Sequence, residues 1–184
     1  IAALCLALLW FNVLDPGLRK GQAQAPYESD AEVGFEVGQR LPDFAIECLD
    51  GSTFSLRDTR GKVTFINLWA TWCAPCVREL PLFVELYERH PDDVAMVAVH
   101  SSFATEDPAA FLADKDWALS GGGYAIPFAL DGDSAVFDAV NGSSALPQTI
   151  VLNRRGEVVY NQQGSVSAEA LAALYGQAAE QDTE

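Results

Sequence analysis

Two cysteines separated by two residues carry the clearest chemistry in the chain, Cys73 and Cys76. Thiol–disulfide exchange needs such a pair, because one sulfur attacks a disulfide and the other resolves the mixed disulfide that results. The same spacing also occurs in zinc sites and in inert structural disulfides. We therefore use the rest of the sequence to distinguish a redox-active pair from a zinc site and from a structural disulfide.

The rest of the cysteine and histidine content favours redox chemistry over the two alternatives. A four-ligand zinc site needs two more ligands, and none of the other candidates is paired at ligand spacing: Cys5, Cys48, His90 and His100. A disulfide that closes a four-residue loop removes little entropy from the unfolded chain, so a purely structural bridge fits poorly. We expect a redox-active pair, with the other two sites as alternatives.

The elements on either side of the pair predict its electrostatics. Residues 63–70 form an apolar run rich in β-branched and aromatic residues, which is typical of a buried strand. Residues 77–87 carry apolar side chains at 80, 83, 84 and 87, the spacing of one helix face. The cysteines thus lie where a strand ends and a helix begins. Unpaired N–H groups and the positive end of the helix dipole should lower the pKa of Cys73.

A carboxylate, Glu79, follows Cys76 by three residues and so lies near the same face of the predicted helix. If burial raises the pKa of Glu79, this group can take the proton from the Cys76 thiol. The alternative is an exposed helix carboxylate paired with Arg78 or Arg89.

Residues 65–81 closely resemble a known active-site stretch: Phe-Ile-Asn-Leu-Trp-Ala-Thr-Trp-Cys-Ala-Pro-Cys-Val-Arg-Glu-Leu-Pro. It is the stretch of the TlpA/ResA/DsbE-like thiol–disulfide oxidoreductases, thioredoxin-fold proteins anchored in the membrane of the bacterial cell envelope. The resemblance covers about residues 38–180. It implies an α/β thioredoxin-like fold with a central mixed sheet flanked by helices, an N-terminal β-hairpin and a helix–strand insertion.

The resemblance also assigns roles to residues. It implies that Cys73 attacks the substrate, that Cys76 resolves the mixed disulfide, and that Glu79 tunes the two thiols. Pro147 matches the cis-proline that such folds hold opposite the cysteine pair, where the preceding residue docks an extended substrate. Trp72 is expected to form part of the apolar surround. No cofactor and no metal are implied.

The function implied is the reduction of disulfides in proteins on the periplasmic side of the envelope, such as apocytochrome c before haem attachment. A membrane thiol protein would supply the electrons. Two other classes are alternatives. A peroxiredoxin-like thiol peroxidase needs a threonine and an arginine around its reactive thiol, and Thr71 is present. A metal-carrier module needs a third ligand, for which the chain offers no convincing residue.

The first 36 residues differ in character from the rest. Residues 1–14 are apolar except for Asn12, although a full membrane span needs about 20 residues. A truncated anchor, a signal-peptide core and a buried helix are the possible interpretations, and we expect an uncleaved membrane anchor. Residues 15–36 are rich in turn-forming and acidic residues, and we expect them to form a linker. We expect residues 37–184 to form the thioredoxin-like domain.

Charge and length exclude some classes of partner. The chain has 184 residues and a net charge of −15, which argues against nucleic-acid binding and against electrostatic attachment to an anionic membrane surface. Nothing in the sequence demands an oligomer, and a monomer is expected.

The remaining pattern predicts a hairpin over residues 43–56, strands near 94–100, 127–131 and 150–153, and helices over 108–119, 134–140 and 167–179. Cys48 is expected to be half-buried in the hairpin, with a regulatory or third redox thiol as the alternative. His100 lies at the carboxyl end of its strand. We expect a polar residue at the mouth of a loop, with a base near the thiols as the alternative.

Overall fold

The computed structural model describes residues 27, 29–101, 107–113, 115, 118–119 and 123–181. The predicted anchor, residues 1–14, lies outside these ranges. The strands are β1 (Ala45–Glu47), β2 (Thr53–Ser55), β3 (Val63–Trp69), β4 (Val94–Ser101), β5 (Ala118–Leu119), β6 (Gly123–Tyr124), β7 (Phe128–Asp131), β8 (Gln148–Leu152) and β9 (Val158–Gln163). The helices are α1 (Ala74–Arg89), α2 (Pro108–Ala113), α3 (Ala135–Ala139) and α4 (Ala168–Glu180), with a 3₁₀ turn at Leu56–Thr59.

Strand β3 is the middle of a five-stranded sheet with the order β7-β4-β3-β8-β9. It runs parallel to β4 and antiparallel to β8, so the sheet is mixed. All seven residues of β3 are buried, as expected for a continuous apolar strand that is covered on both faces. The predicted α/β architecture, with a mixed sheet flanked by helices, is confirmed.

Alternate residues of β3 and β8 point to two separate cores, because successive side chains of a strand face opposite sides. Phe65, Trp69 and Val151 belong to the core that also contains both cysteines of the pair and the buried face of α1. Ile66 and Ile150 belong to the other core, which includes residues of the hairpin and of α3. The cysteine pair therefore lies on one known face of the sheet.

Helix α1 begins directly after Cys73, which is its N-cap residue. Pro75 lies in the first turn, where its missing N–H costs no hydrogen bond. The buried face carries Cys76, Glu79 and Leu80, followed by further apolar residues. The strand and the helix predicted around the pair are thus confirmed; Cys73 caps the helix and Cys76 lies in its first turn.

The hairpin and the insertion are observed with shorter elements than predicted. β1 and β2 pair antiparallel through a turn that holds Gly51 at a φ of 82°. The prediction of one helix over residues 108–119 is wrong, since α2 ends at Ala113. Ala118–Leu119 instead forms β5 and pairs with β6. The backbone groups of these two residues therefore take part in strand pairing and not in a longer helix.

The start of the predicted domain and part of the predicted linker both contact the edge of the sheet. The N–H of Gly38 donates to the Val158 carbonyl and the N–H of Val158 donates to the Gln39 carbonyl, both at 2.8 Å. Further upstream, the Ser29 hydroxyl donates to the Glu157 carboxylate. The boundary between linker and domain at residue 37 stays a prediction. Within the described ranges, none of the helices has the length and apolar character that crossing a bilayer requires.

Candidate active site

Cys73 and Cys76 form a disulfide, with an S–S distance of 2.05 Å and a Cα–Cα distance of 5.3 Å. The backbone N–H of Cys76 donates to Sγ of Cys73 at 3.3 Å. A hydrogen bond from an N–H of the first helical turn favours a thiolate over a thiol. The arrangement therefore lowers the cost of a negative charge on Cys73 once the disulfide is reduced.

The two sulfurs differ in access. Cys73 is 4% exposed and Cys76 has no exposed surface. Trp72, immediately before the pair, is 53% exposed, so the indole contributes apolar surface next to Cys73. An external disulfide can approach Cys73 across this surface, whereas Cys76 is enclosed by the core. This asymmetry is what exchange requires, since attack and resolution are separate tasks.

Glu79 lies one helical turn beyond Cys76 and is only 3% exposed. The side-chain amide of Asn67 donates to its Oε1 at 2.9 Å, and the N–H of Val166 donates to its Oε2 at 3.1 Å. Burial raises the pKa of the Glu79 carboxyl above its usual range, although these two hydrogen bonds act in the opposite direction.

The alternative of an exposed Glu79 paired with Arg78 or Arg89 is wrong. Arg89 instead forms its ion pair with Glu85, four residues before it on the same helix. Glu79 is held between strand β3 and the segment that follows β9, which leaves it buried on the face of α1 that carries Cys76. Burial of this kind favours the protonated carboxyl over the carboxylate, and such a group can exchange a proton with a thiol within reach.

Pro147 follows a cis peptide bond, as predicted. Leu68 pairs with Gln148 across the antiparallel β3–β8 ladder, so position 147 lies level with Trp69, at the end of the sheet where β3 leads to Cys73. The N–H of Leu146 donates to the Ser144 carbonyl at 3.1 Å. Among the described residues, the Leu146 carbonyl accepts no hydrogen bond, and it is available to an N–H of a bound segment.

His100 is fully buried, and its observed contact is with the backbone before the pair. The N–H of Thr71 donates to Nε2 of His100 at 3.1 Å. The imidazole also packs edge-on against Trp69, with 4.9 Å between the ring centroids. The histidine therefore holds the link between β3 and α1, a role that its position in the sequence did not indicate.

Replacing His100 with leucine is expected to slow thiol–disulfide exchange about tenfold, the equivalent of one hydrogen bond. Leucine fills the space but offers no acceptor to the Thr71 N–H, so the link that positions Cys73 loosens. His100→Gln is the matched control, because its amide oxygen can take the place of Nε2. Stopped-flow reaction of the reduced protein with an aromatic disulfide measures the rate. Equal rates in the leucine variant and the unmodified protein would contradict this role.

The free cysteine of the described part of the chain, Cys48, lies away from the pair. It is buried in the core on the opposite face of the sheet, and an isolated bridge joins it to Ala129. Burial raises the pKa of its thiol, which favours the unreactive protonated form. The expectation of a half-buried residue underestimated its burial, because strand β7 covers the hairpin at this point.

Within the described ranges, no cluster of three or more histidine, cysteine or acidic side chains is close enough to hold a metal ion.

Comparison with known proteins identifies the family. The chain matches the Redoxin family over residues 36–176. It is 33% identical over 130 residues to the thioredoxin-like protein YneN of Bacillus subtilis, which covers 71% of this chain and 73% of that protein. It is 34% identical over 134 residues to the thiol-disulfide oxidoreductase ResA of Geobacillus kaustophilus, which covers 72% of each chain.

Solved structures agree with the fold. The structure of StoA from Bacillus subtilis matches with a TM-score of 0.60 and 25% identity, covering 72% of this chain and 96% of that one. A thioredoxin-family thiol:disulfide interchange protein from Chlorobium tepidum matches with a TM-score of 0.63 and 23% identity, covering 82% and 99%. The predicted thioredoxin-like fold is confirmed. The chain belongs to the Redoxin family, and it is a thiol–disulfide oxidoreductase of the TlpA/ResA/DsbE-like type.

Proposed function

We propose that the protein reduces disulfides of other proteins on the periplasmic side of the bacterial cell envelope. The observation that carries this proposal is the asymmetric pair at the start of α1, with one sulfur near the surface and the other enclosed. A pair of this kind can attack a substrate disulfide and then release itself without a second protein.

In the first step, the Cys73 thiolate attacks one sulfur of the substrate disulfide. A bond forms between that sulfur and Sγ of Cys73, the substrate bond breaks, and the leaving thiolate takes a proton from water. In the second step, the Cys76 thiolate attacks Sγ of Cys73 and expels the second substrate sulfur as a thiolate, which takes a proton from water. The substrate gains two electrons and the protein keeps the Cys73–Cys76 disulfide.

Glu79 acts in the second step as the base that takes the proton from Cys76. Both residues are buried on one face of α1, one turn apart, so the proton has no direct route to bulk water. Proton transfer is most effective when the donor and the acceptor have similar affinities for the proton. Because burial raises the pKa of Glu79, it brings the proton affinity of this carboxylate closer to that of a thiol.

Docking uses the surface around the pair. The open carbonyl of Leu146 can accept an N–H from an extended substrate segment, in the way that a strand adds to a sheet edge. Pro147 sets the end of β8 beside this carbonyl, and the exposed indole of Trp72 offers apolar contact on the approach to Cys73.

The sequence and the relatives support a proposal for the location and the partners. Residues 1–14 would anchor the chain in the membrane, residues 15–36 would link the anchor to the domain, and residues 37–184 would form the catalytic domain. The ResA-type relatives support a disulfide-bearing protein as substrate, and apocytochrome c before haem attachment is the specific candidate. A membrane thiol protein would return the electrons, and the enzyme would act as a monomer without a cofactor.

A peptide assay tests this function. The reduced full chain, kept in detergent micelles, is mixed with an oxidised Cys-x-x-Cys-His peptide, the motif at which c-type haem is attached. We expect stoichiometric release of peptide thiols and formation of the Cys73–Cys76 disulfide. Consumption of hydrogen peroxide faster than reduction of the peptide would instead support a thiol peroxidase.

A further inference from the structure

We propose that the open edge of β9, residues 161–163, binds an extended segment of the disulfide-bearing substrate protein as an added strand. This inference rests on the proposed reductase function and extends it, because it names a second contact for the polypeptide that flanks the substrate disulfide.

The register of the sheet identifies which backbone groups of β9 face outward. β9 is the last strand of the sheet and pairs antiparallel with β8. The N–H of Gly164 donates to the Pro147 carbonyl at 2.8 Å, so Gly164 faces β8. Hydrogen-bonding direction alternates along an antiparallel strand. Gln162 therefore also faces β8, whereas the backbone groups of Asn161 and Gln163 point away from the sheet.

The edge of β9 is already paired with another segment at its beginning, around Val158. The N–H and the carbonyl of Val158 are both bonded to the segment that contains Gly38 and Gln39, and a register shift follows in β9. Beyond that point the pairing stops. Among the described residues, the outward N–H and carbonyl groups of Asn161 and Gln163 have no hydrogen-bond partner. An edge of this kind is a ready template for a further strand.

A cleft of about 420 Å³ runs along the open half of the edge, between residues 35–37 and Asn141. The side-chain amide of Asn161 donates to the carbonyls of Phe35 at 3.1 Å and Val140 at 2.9 Å. Its Oδ1 accepts from the Gln148 amide at 2.7 Å. The side chain of Asn161 is thus hydrogen-bonded to residues around the cleft. The backbone N–H and carbonyl of Asn161 are the groups that remain for a ligand.

The spacing and position of these groups fit an extended polypeptide. Two outward positions separated by one residue lie roughly 6.6 Å apart, which is the repeat of a strand. Gln163 directly precedes Gly164, which is bonded to Pro147, so the edge continues from the docking surface around the Leu146 carbonyl. Glu36 lines the cleft, and the chain carries a net charge of −15, so the bound segment should carry lysine or arginine.

The decisive variant is Gln163→Pro. Proline removes the outward N–H and adds ring atoms at the edge, but it costs no ladder bond because position 163 does not bond to β8. Gln163→Ala is the matched control, since it loses the same side chain, including its bond to Ser143, and keeps the N–H. The two variants therefore separate the backbone donor from the side chain.

The substrates are synthetic peptides with one cysteine in a mixed disulfide with thionitrobenzoate. A tail of alternating lysine and valine extends from the cysteine on its N-terminal or its C-terminal side, with either about two or about eight residues. The full chain in detergent micelles is assayed in the reduced form. We expect the longer tail to raise the second-order rate constant for reduction of the peptide about tenfold on one side, in the unmodified protein and in Gln163→Ala, and to give no advantage in Gln163→Pro.

Amide hydrogen exchange gives an independent measurement that does not need the proline variant to fold. A long peptide with serine in place of cysteine should slow exchange at the N–H groups of Asn161 and Gln163. No tail advantage on either side, an advantage that persists in Gln163→Pro, or unchanged exchange at both amides would overturn the inference. If the short peptides are reduced and the tail has no effect, only the docking site fails. If no peptide is reduced, the proposed reductase function fails with it.

Discussion

Replacing Cys76 with serine is expected to reduce turnover about a thousandfold and to trap the substrate on Cys73 as a mixed disulfide. Cys73 keeps its N–H hydrogen-bond donor and its access to the surface, so the attack still occurs. The second step has no attacking sulfur, and the intermediate accumulates. Mass spectrometry of the quenched reaction without reductant measures the adduct.

Two control variants make this result specific. Cys73→Ser should form no adduct at the pair, because the sulfur of the pair that remains, Cys76, has no exposed surface. Cys48→Ser should keep full turnover, because Cys48 lies in the core on the other face of the sheet. An adduct on Cys76 as abundant as the one on Cys73 would contradict the assignment of the attacking sulfur.

Replacing Glu79 with glutamine is expected to slow the resolution step about a hundredfold while leaving the initial attack by Cys73 unchanged. Glutamine has nearly the same shape and still accepts a hydrogen bond from Asn67, but it cannot take a proton from Cys76. Rapid-quench measurement of the mixed disulfide separates the two steps. A variant that resolves the mixed disulfide at the normal rate would remove Glu79 from the mechanism.

The same variant should change how stability depends on pH. Burial raises the pKa of Glu79 in the folded protein, so the unfolded chain releases this proton at a lower pH than the folded one. Stability linked to Glu79 is therefore complete below the ordinary carboxyl pKa and is lost as pH rises from there through the raised pKa of the folded state. Glutamine does not titrate, so Glu79→Gln should lack this loss.

Denaturant unfolding of the oxidised protein and of Glu79→Gln, from about pH 4 to about pH 8, measures the effect. The free energy of unfolding of the unmodified protein should fall relative to that of the variant as pH rises. Parallel curves would show that the folded and unfolded states bind this proton equally well.

The part of the site that is built from neighbouring residues could be predicted from the sequence. The apolar run of β3 and the spacing of apolar residues in α1 are local patterns, and they locate Cys73 at the helix start without any tertiary information. Pro147 was found through the family resemblance, since a proline before a strand indicates only a strand start or an edge.

The contacts between distant segments could not be predicted. Glu79 is buried because Val166, 87 residues later, supplies one of its two donors. His100 contacts the backbone of Thr71, 29 residues earlier, through the parallel register of β3 and β4. The open half of the β9 edge depends on where the segment before β1 stops pairing, which no local pattern encodes.

The most direct test of the proposed reductase function is the equilibrium reduction potential of the Cys73–Cys76 pair. The full chain in detergent micelles is equilibrated with dithiothreitol or glutathione redox buffers, and the reduced fraction is measured by alkylation and mass spectrometry. We predict a value near that of thioredoxin, roughly −270 mV, which suits a donor of electrons to protein disulfides. A value near that of DsbA, roughly −120 mV, or a pair that does not exchange with the buffer, would contradict the account.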